Sequence, residues 1–512
     1  MENIIPKEKF QFAEKHDIAH DKKLETKPIG YFHDAFRRFC KNKGAVVAAI
    51  IIALLILFAL IVPFCTQYYV SYNDPVYKAT LPKSNLFANT NFWDGCEEVS
   101  TGKTTFLYLY AMGQETGHNA IKNQEYTLKD GKYTFRRDSY HKFGMQYRTF
   151  TPDIYQQLQE YQNETGIQVI YPTVSLSNRP QAGQDKSDAN YYYKTSGLSK
   201  TNIVLDDDGN IIPVYLSYPE GIKNDNYNSL RIDGDPFVKD GVTYYYSYAR
   251  PMAAGAYECR VNYYEYYIFN HTRLLKDGVK DPNFLFGTTN NGQDVLTCLA
   301  SGARFSFLFA IAVAVVNLIV GAIYGAIEGY YGGKTDIVME RISDILSAVP
   351  MMIVITLLKL HMGSSSQILV LFISFFLTGW IGMASSTRMQ FYRFKNQEYV
   401  LAARTLGSRD KRLMWKHIFP NAIGTLITGC ALVIPGMIFS ETSLSYLGII
   451  NLESGNITSV GTLIAAGQQS LVTAPFISLF PSVFLVLLML SFNLFGNGLR
   501  DAFNPSLRGS EG

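Results

Sequence analysis

The tripeptide Gly-Lys-Thr occurs twice in this sequence, at Gly102–Thr104 and at Gly333–Thr335. A loop that cradles nucleotide phosphates reads G-x-x-x-x-G-K-[ST], because its first glycine makes the tight turn that brings the backbone amides to the phosphates. That glycine is replaced by Glu97 in the first case and by Glu328 in the second. Neither is a nucleotide site, so any ATP-driven work by this chain draws its energy from another chain. The eight histidines are scattered, with no H-E-x-x-H and no Cys/His set at zinc-like spacing. Asp206, Asp207 and Asp208 precede Gly209 but lack the alternating acids and following glutamate of a calcium loop, so a hairpin turn is the reading. No catalytic constellation, metal site or cofactor site follows from the residues. Cys96 and Cys259 fall near the two ends of a long polar segment. In an extracytoplasmic setting they form either a disulfide or two buried free thiols.

The elements that would position chemistry are membrane spans. Over 512 residues the net charge is +3 and the mean hydropathy +0.02, values of an ordinary soluble protein. The average hides two regions, because residues 66–290 are polar and tyrosine-rich while other windows are nearly pure hydrocarbon. A bilayer core ~30 Å thick requires ~20 apolar helical residues. Six windows qualify: 44–64, 302–327, 345–362, 368–384, 422–439 and 476–496, the third being short and proline-bearing. Ten Lys and Arg precede the first window and eight lie between the fourth and fifth, whereas residues 440–475 have none. Because cytoplasmic loops retain positive charge, both termini are expected inside and the 66–290 segment outside.

The apolar run at 44–64 follows forty-three mostly polar residues, so it reads as a retained anchor rather than a cleaved signal. Residues 31–43, YFHDAFRRFCKNK, form either a basic amphipathic helix on the inner surface or a simple positive flank. The segment 66–290 is expected to be an α+β insert. Runs such as 210–219, 243–251 and 260–270 have strand composition, with turn signals at 129–132, 206–210 and 233–236 and a helix at 153–164. Its tyrosines suit a binding surface, and equally suit sheet core. Nothing in the composition calls for nucleic acid as a partner.

Between the fourth and fifth windows lies EYVLAARTLGSRDKRLMWKHIFPN, residues 398–421. Val400–Leu406 favours helix, and Ala402 and Ala403 keep one surface flat. Gly407 permits a turn that a β-carbon opposes. Ser408 is expected to cap a second helix, with Asp410 in its first turn. Leu413, Met414, His417 and Ile418 make one partly apolar face, and Pro420 closes the segment. A loop that merely fixes topology explains the charge but not these small residues at these intervals; a docking surface explains both.

These residues resemble the membrane subunit of an ATP-binding-cassette importer, of the oligopeptide/dipeptide permease type. Ala402, Ala403, Gly407, Ile418 and Pro420 match that family's E-A-A…G…I-x-P loop; Leu401 stands where the glutamate is usual, and Glu398 is the nearest acid. Residues 286–306, 329–350 (through Asp336, Arg341, Asp344 and Pro350), 441–448 and 492–508 match further family patterns, with Thr289, Gln293, Asn497 and Asn504 as departures. The resemblance implies a six-helix permease fold in a bacterial cytoplasmic membrane. It implies as partners a homologous permease subunit forming a heterodimer, two ATPase subunits on the cytoplasmic side docking on Ala402, Ala403, Gly407, Asp410, Ile418 and Pro420, an external peptide-binding protein, and the lipid bilayer. Pro350, Pro435 and Pro481 offer places for helices to bend. Asn317, the most polar residue near the centre of the second span, either lines the pathway or bonds a neighbouring helix. The same architecture could carry nickel or another small solute. A membrane-anchored receptor or enzyme with a large ectodomain is the rival from another class, and six spans without a cytoplasmic enzyme domain argue against it.

Overall fold

The computed structural model describes residues 31–87, 90–171, 248–363, 367–452 and 458–503; between 172 and 247 it describes only short strands and one turn. The strand expected at 210–219 and the turn at 233–236 lie outside the described residues.

The chain enters through α1 (Tyr31–Lys41), whose Ala35 and Phe39 are buried, and passes at Asn42 into α2 (Lys43–Cys65). Asn42 caps α2 by accepting from the Ala45 amide at 3.2 Å. Four further long helices carry the apolar windows: α6 (Val295–Tyr331), α9 (Gln367–Phe394), α11 (Phe419–Tyr446) and α13 (Phe476–Phe503). Among the described residues five helices are long and apolar enough to cross a membrane. The expected third span is instead two helices, α7 (Gly333–Ser347) and α8 (Met351–Met362), bent by 69°. Pro350 stands at the break, because it disfavours helical geometry in the residue before it. The pair makes a sixth span only if it is one broken crossing.

The close pairing of α6 with α9 rests on glycines. Gly321, Gly325 and Gly329 recur every fourth residue on α6, so they share one face. A Cβ at Gly321 would stand 2.7 Å from the Trp380 carbonyl, one at Gly329 2.7 Å from the Arg388 carbonyl, and one at Gly325 would collide with the Ala384 carbonyl. Small residues let the backbones touch where no hydrophobic effect drives helices together. At the other end of the bundle, Glu441 of α11 is buried and accepts from Ser459 at 2.6 Å, Ser445 at 3.0 Å and Ser306 at 3.4 Å. This joins α6 and α11 to the N-cap of α12 (Val460–Gln468).

Between α2 and α6 the described residues form two larger sheets with helices, besides three two-stranded pairs. One is β1 (Cys96–Thr101), β3 (Lys132–Asp138) and β2 (Thr127–Lys129), antiparallel in the order β1-β3-β2, with Val99 opposite Phe135 and α3 (Lys103–Thr116) following β1. Its β2–β3 hairpin turns at Asp130 and Gly131, both at positive φ, as the Asp-Gly signal predicts. The other sheet joins β4 (Met145–Phe150), β6 (Arg250–Pro251) and β7 (Tyr257–Asn262), with β5 (Ile170–Tyr171) also on β7 and α4 (Pro152–Thr165) crossing between. The run 260–270, expected as strand, stops at Asn262 and becomes α5 (Tyr263–Phe269). The Asn262 side chain accepts from the Tyr264 amide at 2.9 Å, and this cap outweighs the strand preference of the tyrosines. Cys96 on β1 and Cys259 on β7 are both free thiols, so the candidate disulfide is not formed in this structure.

This region is tied together near the start of α6 and seated on the bundle, where Asn290 donates to the Ala466 carbonyl at 3.2 Å. Buried Asp74 accepts from the Tyr77 amide at 2.6 Å and the Tyr263 hydroxyl at 3.0 Å, while its own amide donates to the Gly292 carbonyl at 3.2 Å. The Trp93 ring stacks on Phe480 of α13, which stacks on Phe286 at 4.1 Å.

Two outcomes follow. Gly325→Ala should destabilise the protein by ~1–3 kcal/mol through overpacking, read as a lower thermal midpoint in detergent. Gly436→Ala, where a Cβ meets open space, should not lower it. Asp294, the N-cap of α6, is fully buried with Oδ1 unpartnered, and burial pushes its carboxyl from 3.8 up to about 6 despite the bonds from Thr297. Protons bound by the folded form between those values favour folding, so this contribution is lost as pH rises through about 6. Asp294→Asn should therefore raise the midpoint at pH ~7 and make little difference at pH ~4, checked by thermal scans of both proteins across that range.

Candidate functional site: a hairpin at the basic end of the bundle

The segment 398–421 is a helix, a turn and a short wide turn. The helix α10 (Glu398–Thr405) ends in a motif with two defining bonds: the Gly407 amide donates to the Arg404 carbonyl at 3.0 Å, and the Ser408 amide to the Ala403 carbonyl at 3.1 Å. Gly407 has φ of +86°, which its missing Cβ makes inexpensive. After Arg409 the chain makes one helical turn, Asp410–Arg412, and one π-type turn, Leu413–Ile418, before α11 begins. The expected Ser408 cap is not observed: Arg409 occupies the cap position and no side chain caps the turn. Ser408 is instead consumed by closing α10, one residue too early to face the next amides.

The hairpin is held on a floor supplied by α6 and α9. Val400, Leu413, Met414 and Ile418 are buried against Ala326, Tyr330 and Phe391, with Ala403 packed at the edge. The Tyr330 hydroxyl donates to Asp410 Oδ1 at 2.6 Å and accepts from Arg404 Nη2 at 3.4 Å, so one phenol ties both arms of the hairpin. Lys395 Nζ donates to the Gly329 carbonyl at 2.9 Å, and Asn421 Nδ2 to the Tyr399 hydroxyl at 3.1 Å. Beside it, Arg388 of α9 grips Asp336 of α7 in bidentate fashion at 2.6 and 2.9 Å, and Glu340 at 2.9 Å. Tyr392 donates to the same Asp336 at 2.5 Å. A bidentate guanidinium–carboxylate pair fixes orientation as well as distance, so the base of the broken helix is clamped to α9.

The residues expected to dock a partner divide by this packing. Ile418 is fully buried and Ala403 half-buried; both hold the hairpin down. Ala402, Gly407 and Pro420 are exposed, and Asp410 is exposed as a residue although its carboxylate is bonded to Tyr330. Leu401 is 43% and Leu406 87% exposed, apolar side chains at the free face of a hairpin rich in basic residues. Glu398 is exposed in the first turn of α10. Asn317 belongs elsewhere: it is buried against Gly379 of α9 on the glycine face of α6, and neither amide atom has a partner among the described residues. Among the described residues it makes no hydrogen bond to a neighbouring helix. Tyr330, Arg404 and Arg388 were not singled out from the sequence. Tyr330 sits eighty residues from Asp410, and no local spacing announces the pair.

Family models match two stretches. Residues 317–509 match "Binding-protein-dependent transport system inner membrane component", and residues 30–82 match "N-terminal TM domain of oligopeptide transport permease C". The oligopeptide transport system permease protein OppC of Bacillus subtilis is 40% identical over 243 residues, 47% of this chain and 78% of that protein. OppC of Haemophilus influenzae is 40% identical over 44% of this chain and 70% of its own length, and the dipeptide permease DppC of B. subtilis 37% over 44% and 69%. Among solved structures, the inward-facing methionine ABC transporter MetNI aligns at 14% identity over 40% of this chain and 96% of that chain, with a TM-score of 0.31, too slight a likeness to argue from.

Removing the phenol that ties the two arms should loosen the hairpin without unfolding the bundle. Tyr330→Phe is expected to cost ~1 kcal/mol, the low side for a bond to a carboxylate because Asp410 reaches solvent. Amide hydrogen exchange across 400–413 should quicken while α6 stays protected.

Proposed function

The chain belongs to the family of binding-protein-dependent transport permeases, and from that premise we propose that it is the membrane subunit of an ATP-binding-cassette importer for oligopeptides or dipeptides. It crosses the cytoplasmic membrane six times, the α7–α8 pair serving as the broken third span, with both termini and the 398–421 hairpin inside. Residues 66–290 form an α+β insert on the outer face. The chain pairs with a homologous permease subunit, two ATPase subunits dock from the cytoplasm, and an external binding protein delivers peptide.

The observation that supports the docking role most directly is the division of the hairpin into an anchored face and a free one. Val400, Leu413 and Ile418 bury one side, while Leu401, Ala402, Leu406 and Gly407 leave the other open. A docking element that transmits force must be stiff at its root, and the Tyr330 bonds to Asp410 and Arg404 supply that stiffness. Closure of the ATPases then moves the hairpin as a body, and the hairpin continues directly into α11 through Pro420. Its motion becomes tilt of a span rather than local bending, opening the path alternately to either side. Leu401 in place of an acid makes this contact rest on apolar burial instead of a charge pair.

Ala402→Asp with Leu406→Asp alters only exposed positions, so membrane insertion and yield should match the wild type. Uptake of radiolabelled peptide and co-purification of the ATPase subunits should both be lost, by at least ~tenfold for two buried, unpaired carboxylates. Wild-type uptake in that variant would contradict the docking assignment.

A further inference from the structure

The exposed faces of the long helices are of two kinds. On α2 and α6 they are aliphatic, with Val47, Ile50 and Leu54 on the first and Leu308, Ile311 and Ile319 on the second. On α9 and α11 small and polar residues are exposed as well, Gly382 and Ser385 on α9 and Thr425 and Gly436 on α11, beside apolar ones such as Met389. Lipid tails cannot satisfy hydroxyl or amide groups, so a polar face within a span turns to water or to protein.

Polar residues of these two helices meet in a cleft of about 270 Å³, lined also by the last turns of α9 and α13. Its polar lining is Ser386, Gln390 and Arg393 of α9, Thr425 and Thr428 of α11, and Arg500 of α13. Ser386, Gln390 and Arg393 are spaced so as to share one helix face. The Thr428 hydroxyl is satisfied within its own helix by the Gly424 carbonyl, and Ser386 by the Gly382 carbonyl. The arginines are different. Among the described residues neither guanidinium pairs with a carboxylate, and the lining contains no acidic side chain. Arg393 lies over the Phe394 ring at 5.5 Å, a contact that leaves its donors available. Two arginines facing a lipid boundary would extend to the headgroups along their stems; these two instead line the same concave wall.

We propose that this cleft is a release-side subsite that holds an anionic group of the cargo, the C-terminal carboxylate of a peptide, between Arg393 and Arg500. The inference rests on the peptide-import reading above. Two planar guanidinium groups match a carboxylate geometrically, and the neutral hydroxyl and amide wall behind them tolerates varied side chains. Placed at the inner end of the path, the subsite engages the peptide terminus when the cleft is open to the cytoplasm. A lipid phosphate offers the same anionic chemistry and is separated from it by the test.

The test uses the permease purified with its partner subunit and ATPases, free of nucleotide, in nanodiscs of zwitterionic phosphatidylcholine. Pentaalanine labelled at its N-terminus, with a free or an amidated C-terminus, is titrated by fluorescence anisotropy. The wild type should bind the acid about tenfold more tightly than the amide, as expected for charge-assisted bonds. Arg393→Gln with Arg500→Gln should abolish that preference with amide binding unchanged and the ATPases retained, and the double Lys variant should keep part of it. Equal binding of both peptides by the wild type would overturn the subsite while leaving peptide import standing. Equal binding, joined to a thermal midpoint raised by phosphatidylglycerol in wild type but not in the Gln variant, would assign the arginines to lipid phosphate. If vesicles carrying the complete wild-type system take up neither peptide, the peptide reading itself falls, and the subsite with it.

Discussion

Backbone contact between α6 and α9 is the constraint from which the rest of the inner half is built. Gly321, Gly325 and Gly329 remove the side chains that would hold the two helices apart. Because the approach continues to the end of α6, Tyr330 and Phe391 arrive side by side and make the floor on which the 398–418 hairpin packs. The same approach aligns Arg388 with Asp336 and Glu340, which locks the base of the broken α7–α8 pair to α9. Within a bilayer, association of helices draws on packing and polar contacts rather than on water release. A gap of one methyl along this seam would therefore be felt at the hairpin.

The hairpin shows how apolar burial and a single polar tie divide the work. Burial of Val400, Leu413, Met414 and Ile418 supplies the attraction but leaves the rotation of the two arms loosely specified. Tyr330 removes that freedom by bonding Asp410 on one arm and Arg404 on the other. Gly407 adds the reversal at low conformational cost, through two backbone bonds that close α10. The result is a stiff element whose outward face carries the exposed Leu401 and Leu406 among basic residues.

How much of this was legible in the sequence depends on the range of the interaction. The spans were legible because hydrocarbon runs have one common cause, and the Asp130-Gly131 hairpin and the Gly407 turn because backbone chemistry is local. Ile418, expected on the docking surface, is instead fully buried under the hairpin, because its face of the segment packs on α6 and α9. The Tyr330–Asp410 and Arg388–Asp336 pairs were not legible, since they join residues 80 and 52 positions apart across a helix seam. Three local readings also differ from the structure. Ser408 closes a helix instead of opening one, because the backbone motif ending α10 takes its amide. The tyrosines after Asn262 form α5, because a cap and burial on both sides outweigh strand preference. The third span is two helices rather than one continuous helix, parting at Pro350, the proline already offered as a place to bend.

The account turns on the free face of the hairpin meeting the ATPase. The most direct measurement places photoreactive benzoylphenylalanine at Leu406, the most exposed apolar side chain of the segment, in membranes where the ATPase subunits are co-expressed. The account predicts an adduct of this chain with an ATPase subunit after irradiation, and none when the same residue replaces Leu57 on the aliphatic face of α2. An adduct with lipid alone at Leu406, or with the partner permease and no ATPase, would contradict it.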